Sequence, residues 1–524
     1  MRVKTLMLLV LCVTSSTVNS YNILGVLQSA SKSHYIIGHA IMKALAQDGH
    51  HVTVLTPFIE KHPIPNYEEV YLERSVSDGL KEVRSGNYVN YNNLHFWDLA
   101  KATYDVSTNW TRSAIRSENF QNFLLQNRHF DVVIVEVFVG DALLSLGQYY
   151  NAPVIGFSTT VPSKWTSDLV GLSPFASHVP NILCGFSDKM NFWQRVYNSL
   201  SYWYEDIATE LYYRPKQQKF MEAIWWNRTD VPTFNEVLQN VPLVFVNSHV
   251  TYATPQPLAP NLIEIGGIHV NETAISLNED VQTFLNGAKD GAIFFSLGSN
   301  IKLSKIPSRQ KAIIANAFAE FPKMKILIKN EGHFPIPSHN SSDMVLVRDW
   351  FNQQEILAHP NLKLFCTHGG LLSTIETVYY GKPAVGIPVL YDQYLNMALA
   401  ESKGYAVTVS YEQLDEQNLK SSIRSALKNP SYARTAKLLS EQFHGQLNTP
   451  MKTVIHWVKH VAKYKGASQL RSTGIDMPFY IYYNLDCYAF LIFICTSAIF
   501  IAYKLIKTAF RALSHQASIK IKTS

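Results

Sequence analysis

Apolar and polar positions along this chain fall into blocks whose period switches between that of a strand and that of a helix. A short apolar run at residues 22–27 leads into helical spacing at 35–46 and then into a second apolar run at 51–56. Strand, helix and strand in that order predict parallel neighbours in one sheet, because a parallel pair needs a crossover of about a dozen residues or more. The unit returns with 130–135, a helical stretch at 141–150 and a further run at 153–157. Pro255, Pro257 and Pro260 break the periodicity and predict a linker over 251–285. A second series follows, with strands expected at 292–295, 325–328, 344–347, 362–365 and 384–387 and helical spacing between most of them.

Two α/β domains, each a parallel sheet wrapped by helices in the Rossmann-like manner, are therefore expected at 21–250 and 286–450, and 524 residues are too many for one ordinary core. A helical segment at 451–486 completes the body. The first strand-to-helix turn, Gln28-Ser29-Ala30-Ser31-Lys32-Ser33-His34, lacks the glycine fingerprint of a dinucleotide site, which argues against a nicotinamide or flavin enzyme. The stretch 161–240 is rich in aromatics such as Trp193, Trp203, Tyr204, Tyr212, Tyr213, Trp225 and Trp226, and helical spacing gives them a packing role before any ligand role.

Charge changes the picture little. The chain has 46 basic and 40 acidic residues, but Arg2, Lys4, Lys504, Lys507, Arg511, Lys520 and Lys522 sit in terminal segments without an acid, which leaves 39 basic residues in the body. A near-neutral body removes the compositional case for nucleic-acid binding. The first 20 residues, basic and then apolar from Leu6 to Val13, read as a signal peptide cleaved after Ser20. Sequons at Asn109, Asn227, Asn271 and Asn340 agree with secretory entry. An uncharged apolar run at 487–503, followed by the basic tail 504–524, predicts one membrane-spanning helix with the tail in the cytosol and the mass of the chain on the lumenal side. Lys520 and Lys522 at the end of that tail resemble a dilysine retrieval signal, which points to the endoplasmic reticulum. Cys12, Cys487 and Cys495 fall in the two apolar segments, so Cys184 and Cys366 alone remain in the body and no disulfide framework is expected.

The densest chemistry lies at 350–393. An apolar run enters Thr367-His368-Gly369-Gly370 and then helical spacing as far as Tyr380-Gly381-Lys382-Pro383, so two glycines stand where a helix begins. Free N–H groups and the positive end of a helix dipole favour a diphosphate there. Ser296-Leu297-Gly298-Ser299 ends the first strand of the second domain, where hydroxyl and backbone N–H donors suit a phosphate as well. Glu376 follows in the helix, and a carboxylate accepts hydrogen bonds from both hydroxyls of a ribose. No carboxylates or histidines have metal-site spacing.

This constellation resembles the signature of the UDP-glycosyltransferase family, although Asn352 stands where the family usually has proline. The resemblance implies the GT-B architecture, an α/β fold of two Rossmann-like domains facing across a cleft, plus a C-terminal transmembrane helix. It implies that Trp350 stacks on uracil with Gln353 at the base edge, and that Glu376 holds the ribose. Ser296, Gly298, Ser299, His368 and Gly370 would meet the diphosphate, Ser373 would belong to the same UDP-sugar site, and Asp392 with Gln393 would meet the sugar. It also implies a catalytic base at His34. The family pairs that histidine with an aspartate just beyond the Phe-Asp-Val strand, whereas this chain has Glu136; Asp141 is the alternative partner, and Asp131 sits earlier as a structural acid. Wording around Ser33-His34-Tyr35 and Leu371-Leu372-Ser373 looks more like insect members, which implies UDP-glucose as donor. The expected activity is inverting, metal-independent transfer of a hexose from a UDP-sugar to small lipophilic acceptors, with no cofactor beyond the co-substrate. Oligomers of this chain with itself or with relatives stay open. The alternative is a non-catalytic sugar-nucleotide or lipophile-binding membrane protein of the same fold.

Overall fold

The computed structural model describes residues 20–75, 77, 95–138, 140–271, 277–299, 301–335 and 342–522. Residues 1–19 of the expected signal peptide, Asn340 of the fourth sequon and the last two residues of the tail lie outside the described residues.

Seven strands form the first sheet: β1 (Asn22–Val26), β2 (His51–Thr56), β3 (Tyr67–Tyr71), β4 (Val132–Glu136), β5 (Val154–Ser158), β6 (Leu243–Val246) and β7 (Leu262–Glu264). Their order is β3-β2-β1-β4-β5-β6-β7, with every pairing parallel. Strands buried on both faces read as continuous apolar runs, as β4 and β6 do here. β3 is the edge, and its Tyr-Glu-Glu-Val-Tyr sequence is half exposed, which hid it from an apolar-run reading. β7 lies inside the stretch expected as linker; three residues are too few to show a period, and pairing with β6 alone makes them a strand.

Six more strands form the second sheet: β8 (Ala292–Ser296), β9 (Lys325–Lys329), β10 (Val345–Arg348), β11 (Leu362–Thr367), β12 (Ala384–Gly386) and β13 (Ala406–Thr408). The order β10-β9-β8-β11-β12-β13 is again wholly parallel. In both sheets the strand order reverses beside the first strand, between β1 and β4 and between β8 and β11. Loops leaving the carboxyl ends of those pairs diverge in opposite directions and open a crevice.

The chain also crosses back. Helix Pro450–Tyr464, started by Thr449, which accepts from the Lys452 amide, sends Val454, Val458 and Val461 into the core of the first lobe beside Ile23, Ile37 and Ile134. Each buried valine contributes about 1.5–3 kcal/mol relative to an exposed one, so the helix belongs physically to the first sheet although it follows the second in sequence.

Residues 472–524 form a separate unit. Its main element is helix Leu485–Lys522, whose stretch Leu485–His515 contains an 18-residue segment with a mean hydropathy of 2.2 and is long and apolar enough to cross a bilayer. The span expected at 487–503 falls inside it.

Candidate active site

A cleft of about 320 Å³ lies between the carboxyl ends of the two sheets. Every UDP-sugar residue expected from the sequence lines it: Ser296, Gly298, Ser299, Trp350, Gln353, His368, Gly370, Ser373, Glu376, Asp392 and Gln393, with His34 facing them from the first lobe.

His34 sits in the first turn of helix Lys32–Gln47, which starts six residues after β1. Its Nδ1 lies 2.6 Å from Oε1 of Glu136, the last residue of β4 and only 1% exposed, and 3.2 Å from the Thr159 hydroxyl. The other Glu136 oxygen accepts from the Ser29 amide at 3.2 Å. Two rings hold the imidazole edge-on, Phe138 at 4.7 Å and Trp110 at 5.8 Å between centroids. With Nδ1 engaged by a carboxylate, Nε2 is the nitrogen left for chemistry in the cleft. Asp141, the alternative partner, is turned elsewhere: burial pushes its carboxyl up to about 6, and it associates with Tyr213. Asp131 accepts from the Asn22 amide at 2.9 Å and pairs with Lys465.

On the second lobe the Gly370 backbone opens helix Leu371–Tyr379 with no side-chain cap, so its first N–H groups face the cleft. The His368 ring is wedged between two glycines. A Cβ on Gly298, whose φ is +76°, would lie 2.4 Å from Cε1 of His368, and one on Gly370 would lie 2.5 Å from Nε2. Neither position admits a side chain while the ring stays. Burial, with the nearby Lys329 cation, lowers the His368 pKa to about 4. The imidazole is thus neutral at neutral pH and can donate from one nitrogen only.

Lys329 was not singled out from sequence; a lysine closing an apolar strand was its only signal. Its Nζ donates to the Gly298 carbonyl at 2.9 Å and pairs with Glu331 at 2.7 Å. It also stands 5.4 Å over the Trp350 ring, which is 60% exposed and open to stacking. Asn352, in the proline position, keeps a φ of −75°, a value proline would impose as well.

Glu376 is buried and ringed by donors. Gln353 and Gln354 both donate to it, the latter at 3.1 Å, and Nε2 of His269 lies 3.4 Å away. Gln354 also reaches back to the segment after β7, donating to the His269 carbonyl at 3.2 Å and accepting from the Asn271 amide at 3.0 Å. His269 and Gln354 were missed by sequence reasoning, since a lone histidine in a linker carries no spacing. Asp392 bonds Asn396 at 2.9 Å; burial raises its pKa, while Asn396 and then His34 pull it down. Asp392 and His34 line the same cleft. Gln393 accepts from the Val389 amide at 2.9 Å and the Leu390 amide at 3.1 Å.

Of the sequons, Asn227 and Asn271 are exposed, whereas Asn109 lies inside helix Phe96–Ile115 with Trp110 and Thr111 buried beside it. Among the described residues no group of three or more His, Cys, Asp or Glu side chains is placed to hold a metal ion.

Two doubly wound parallel lobes with their chemistry gathered where the switch points face each other define a glycosyltransferase of the GT-B class. A solved glycosyltransferase, described as the glycotransferase of kitacinnamycin, shares this fold, with a TM-score of 0.55 over 84% of this chain and 99% of that one at 15% identity. Residues 25–519 match the profile of the "UDP-glucoronosyl and UDP-glucosyl transferase" family, and the chain belongs to it. It is 32% identical to UDP-glucosyltransferase 2 of Dactylopius coccus over 94% of both chains. It is also 28% identical to UDP-glucuronosyltransferase 2C1 of Oryctolagus cuniculus, over 90% of this chain and 95% of that one. The protein is a UDP-glycosyltransferase acting with a UDP-sugar donor and an acceptor substrate.

Proposed function

We propose that this enzyme transfers glucose from UDP-glucose to a hydroxyl of small lipophilic acceptors by one inverting displacement. The observation that carries the reading is the 2.6 Å contact between His34 and Glu136 at the mouth of the cleft, opposite Asp392. In this reading Nε2 of His34 takes the hydroxyl proton as the acceptor oxygen attacks the anomeric carbon, and the bond from that carbon to UDP breaks. Attack opposite the leaving group turns an α-linked donor into a β-glycoside. Glu136 holds the ring in the tautomer with its proton on Nδ1 and stabilises the imidazolium that forms.

The departing diphosphate gains negative charge, and the exposed N–H groups at Gly370, the His368 ring, the Ser296 to Ser299 turn and the Lys329 cation supply opposing donors in the cleft. That set supports a metal-independent reaction. Trp350 serves as the uracil platform, Glu376 takes the ribose, and Asp392 and Gln393 read the sugar hydroxyls. The acceptor side, walled by Val106, Trp110, Phe138, Trp165, Ile182 and Leu183, favours apolar molecules. Similarity to the Dactylopius glucosyltransferase favours glucose over glucuronate. The apolar helix Leu485–Lys522, with the basic tail and exposed sequons, supports a type I protein of the endoplasmic reticulum membrane with both lobes lumenal.

Purified membranes incubated with UDP-glucose, UDP-galactose or UDP-glucuronate and a panel of lipophilic alcohols and phenols, with and without EDTA, test all parts together by product mass. A hexoside formed from UDP-glucose and unaffected by EDTA is expected. A product formed from UDP-glucuronate alone overturns the donor assignment.

A further inference from the structure

Helix Phe192–Ala208 and the π-helical turn Thr209–Tyr213 that continues it present an unusual outer face. Phe192, Trp193, Leu200, Trp203, Ile207 and Leu211 are all exposed, Trp193 at 74% and Trp203 at 66%. At helical spacing they fall within an arc of about 100°, the width of a stripe that ordinarily faces a core. Here the core lies on the other side, where Asn198, Ser201, Tyr202 and Glu205 are buried. The two acids at the border of the stripe are ion-paired, Asp206 with Lys164 at 2.7 Å, a lysine it shares with Asp168, and Glu210 with Arg214 at 2.9 Å. Arg195 is exposed on the same helix. Two tryptophans on an apolar stripe whose bordering acids are ion-paired suit the interface of a lipid bilayer, where an indole buries its rings and keeps its N–H wet. The same chain carries the apolar helix Leu485–Lys522, and covalent linkage to an anchored segment raises the effective concentration of this face at lipid.

We propose that this stripe seats the first lobe in the head-group region of a bilayer, and the proposal rests on the anchoring role given above to the C-terminal helix. Seating would have a functional consequence. The buried face of the helix is tied to the wall of the cleft: the Asn181 amide donates to Asn198 at 2.7 Å, the Asn181 side chain donates to Glu205 at 2.7 Å, and Ile182 and Leu183 next to it line the acceptor side. A lipophilic acceptor dissolved in the membrane would then meet the enzyme one helix away from where it reacts.

The chain lends itself to a direct test, because no tryptophan follows Trp457 and the apolar helix is silent in tryptophan fluorescence. Full-length protein in vesicles of phosphatidylcholine brominated near the head-group end of one acyl chain should be quenched relative to unbrominated vesicles. That quenching should be lost in W193F/W203F and kept in W226F, which removes an exposed tryptophan elsewhere, with circular dichroism reporting the fold of each variant. Carbonate extraction separates the two readings. Release of wild-type protein would overturn the anchor and the proposal with it. Retention without quenching, or quenching unchanged in W193F/W203F, would overturn the proposal alone, as would cross-links between copies through this face in place of quenching.

Discussion

His34 and Glu136, 2.6 Å apart, join the proposed base to a carboxylate with one more methylene than the resemblance led one to expect. The longer side chain still reaches because β4 ends at Glu136 and the Ser29 amide fixes its second oxygen. E136Q should lower kcat by orders of magnitude with little change in KM for the donor, since the amide removes the charge that would hold the imidazolium while the proposed nucleotide contacts lie on the other lobe. E136D should retain more activity than E136Q; equal turnover in E136Q and wild type would exclude the dyad. On the second lobe, Gly298 leaves no room for a methyl group against His368. G298A should cost about 1–3 kcal/mol through strain at its positive φ and displacement of the ring, read by calorimetry as weaker UDP binding. His368 also couples folding to pH. Its pKa falls from 6.5 to about 4 on burial, so between those values the unfolded chain binds more protons than the folded one. The contribution is complete above about pH 6.5, is lost as the pH falls toward 4, and amounts to about 3 kcal/mol. Thermal melting across that window should show a smaller acid-side fall in Tm for H368N than for wild type.

At the scale of elements, helix Leu371–Tyr379 brings its N-terminal amides and Glu376 to the same cleft. E376A should weaken UDP binding by about 1–3 kcal/mol, the range for losing a charge-assisted hydrogen-bond partner, measured by titration calorimetry. Unchanged affinity would remove Glu376 from the ribose site. The sequence pattern located this helix well, because its apolar residues repeat at helical spacing and glycines precede it. It could not foresee that Gln354 ties Glu376 to the segment around His269, a contact spanning 85 residues. Short strands such as β7 and β13 escaped for a related reason: three residues hold too little of a two-residue period, and only a neighbouring strand makes them part of a sheet.

For the whole molecule, the apolar helix Leu485–Lys522 sets the relation to membrane. Truncation before Asp486 should yield protein released by carbonate, because that helix is the one candidate span among the described residues. Retention in the membrane pellet would reveal another anchor. Much of the rest was legible from one dimension. Apolar runs and helical spacing follow from neighbours along the chain, so they announced two α/β lobes, and the stretch from Trp350 to Gln393 named residues that the structure brings to one cleft. The tertiary structure alone decided which carboxylate meets His34, since Glu136 and Asp141 stand five residues apart and only the end of β4 aims one of them at the imidazole across 102 residues of sequence. It alone returned helix Pro450–Tyr464 to the first lobe and put Lys329 beside Trp350. Local pattern records which face of an element is apolar; which faces meet depends on packing between distant segments, and that leaves no periodic trace in the chain.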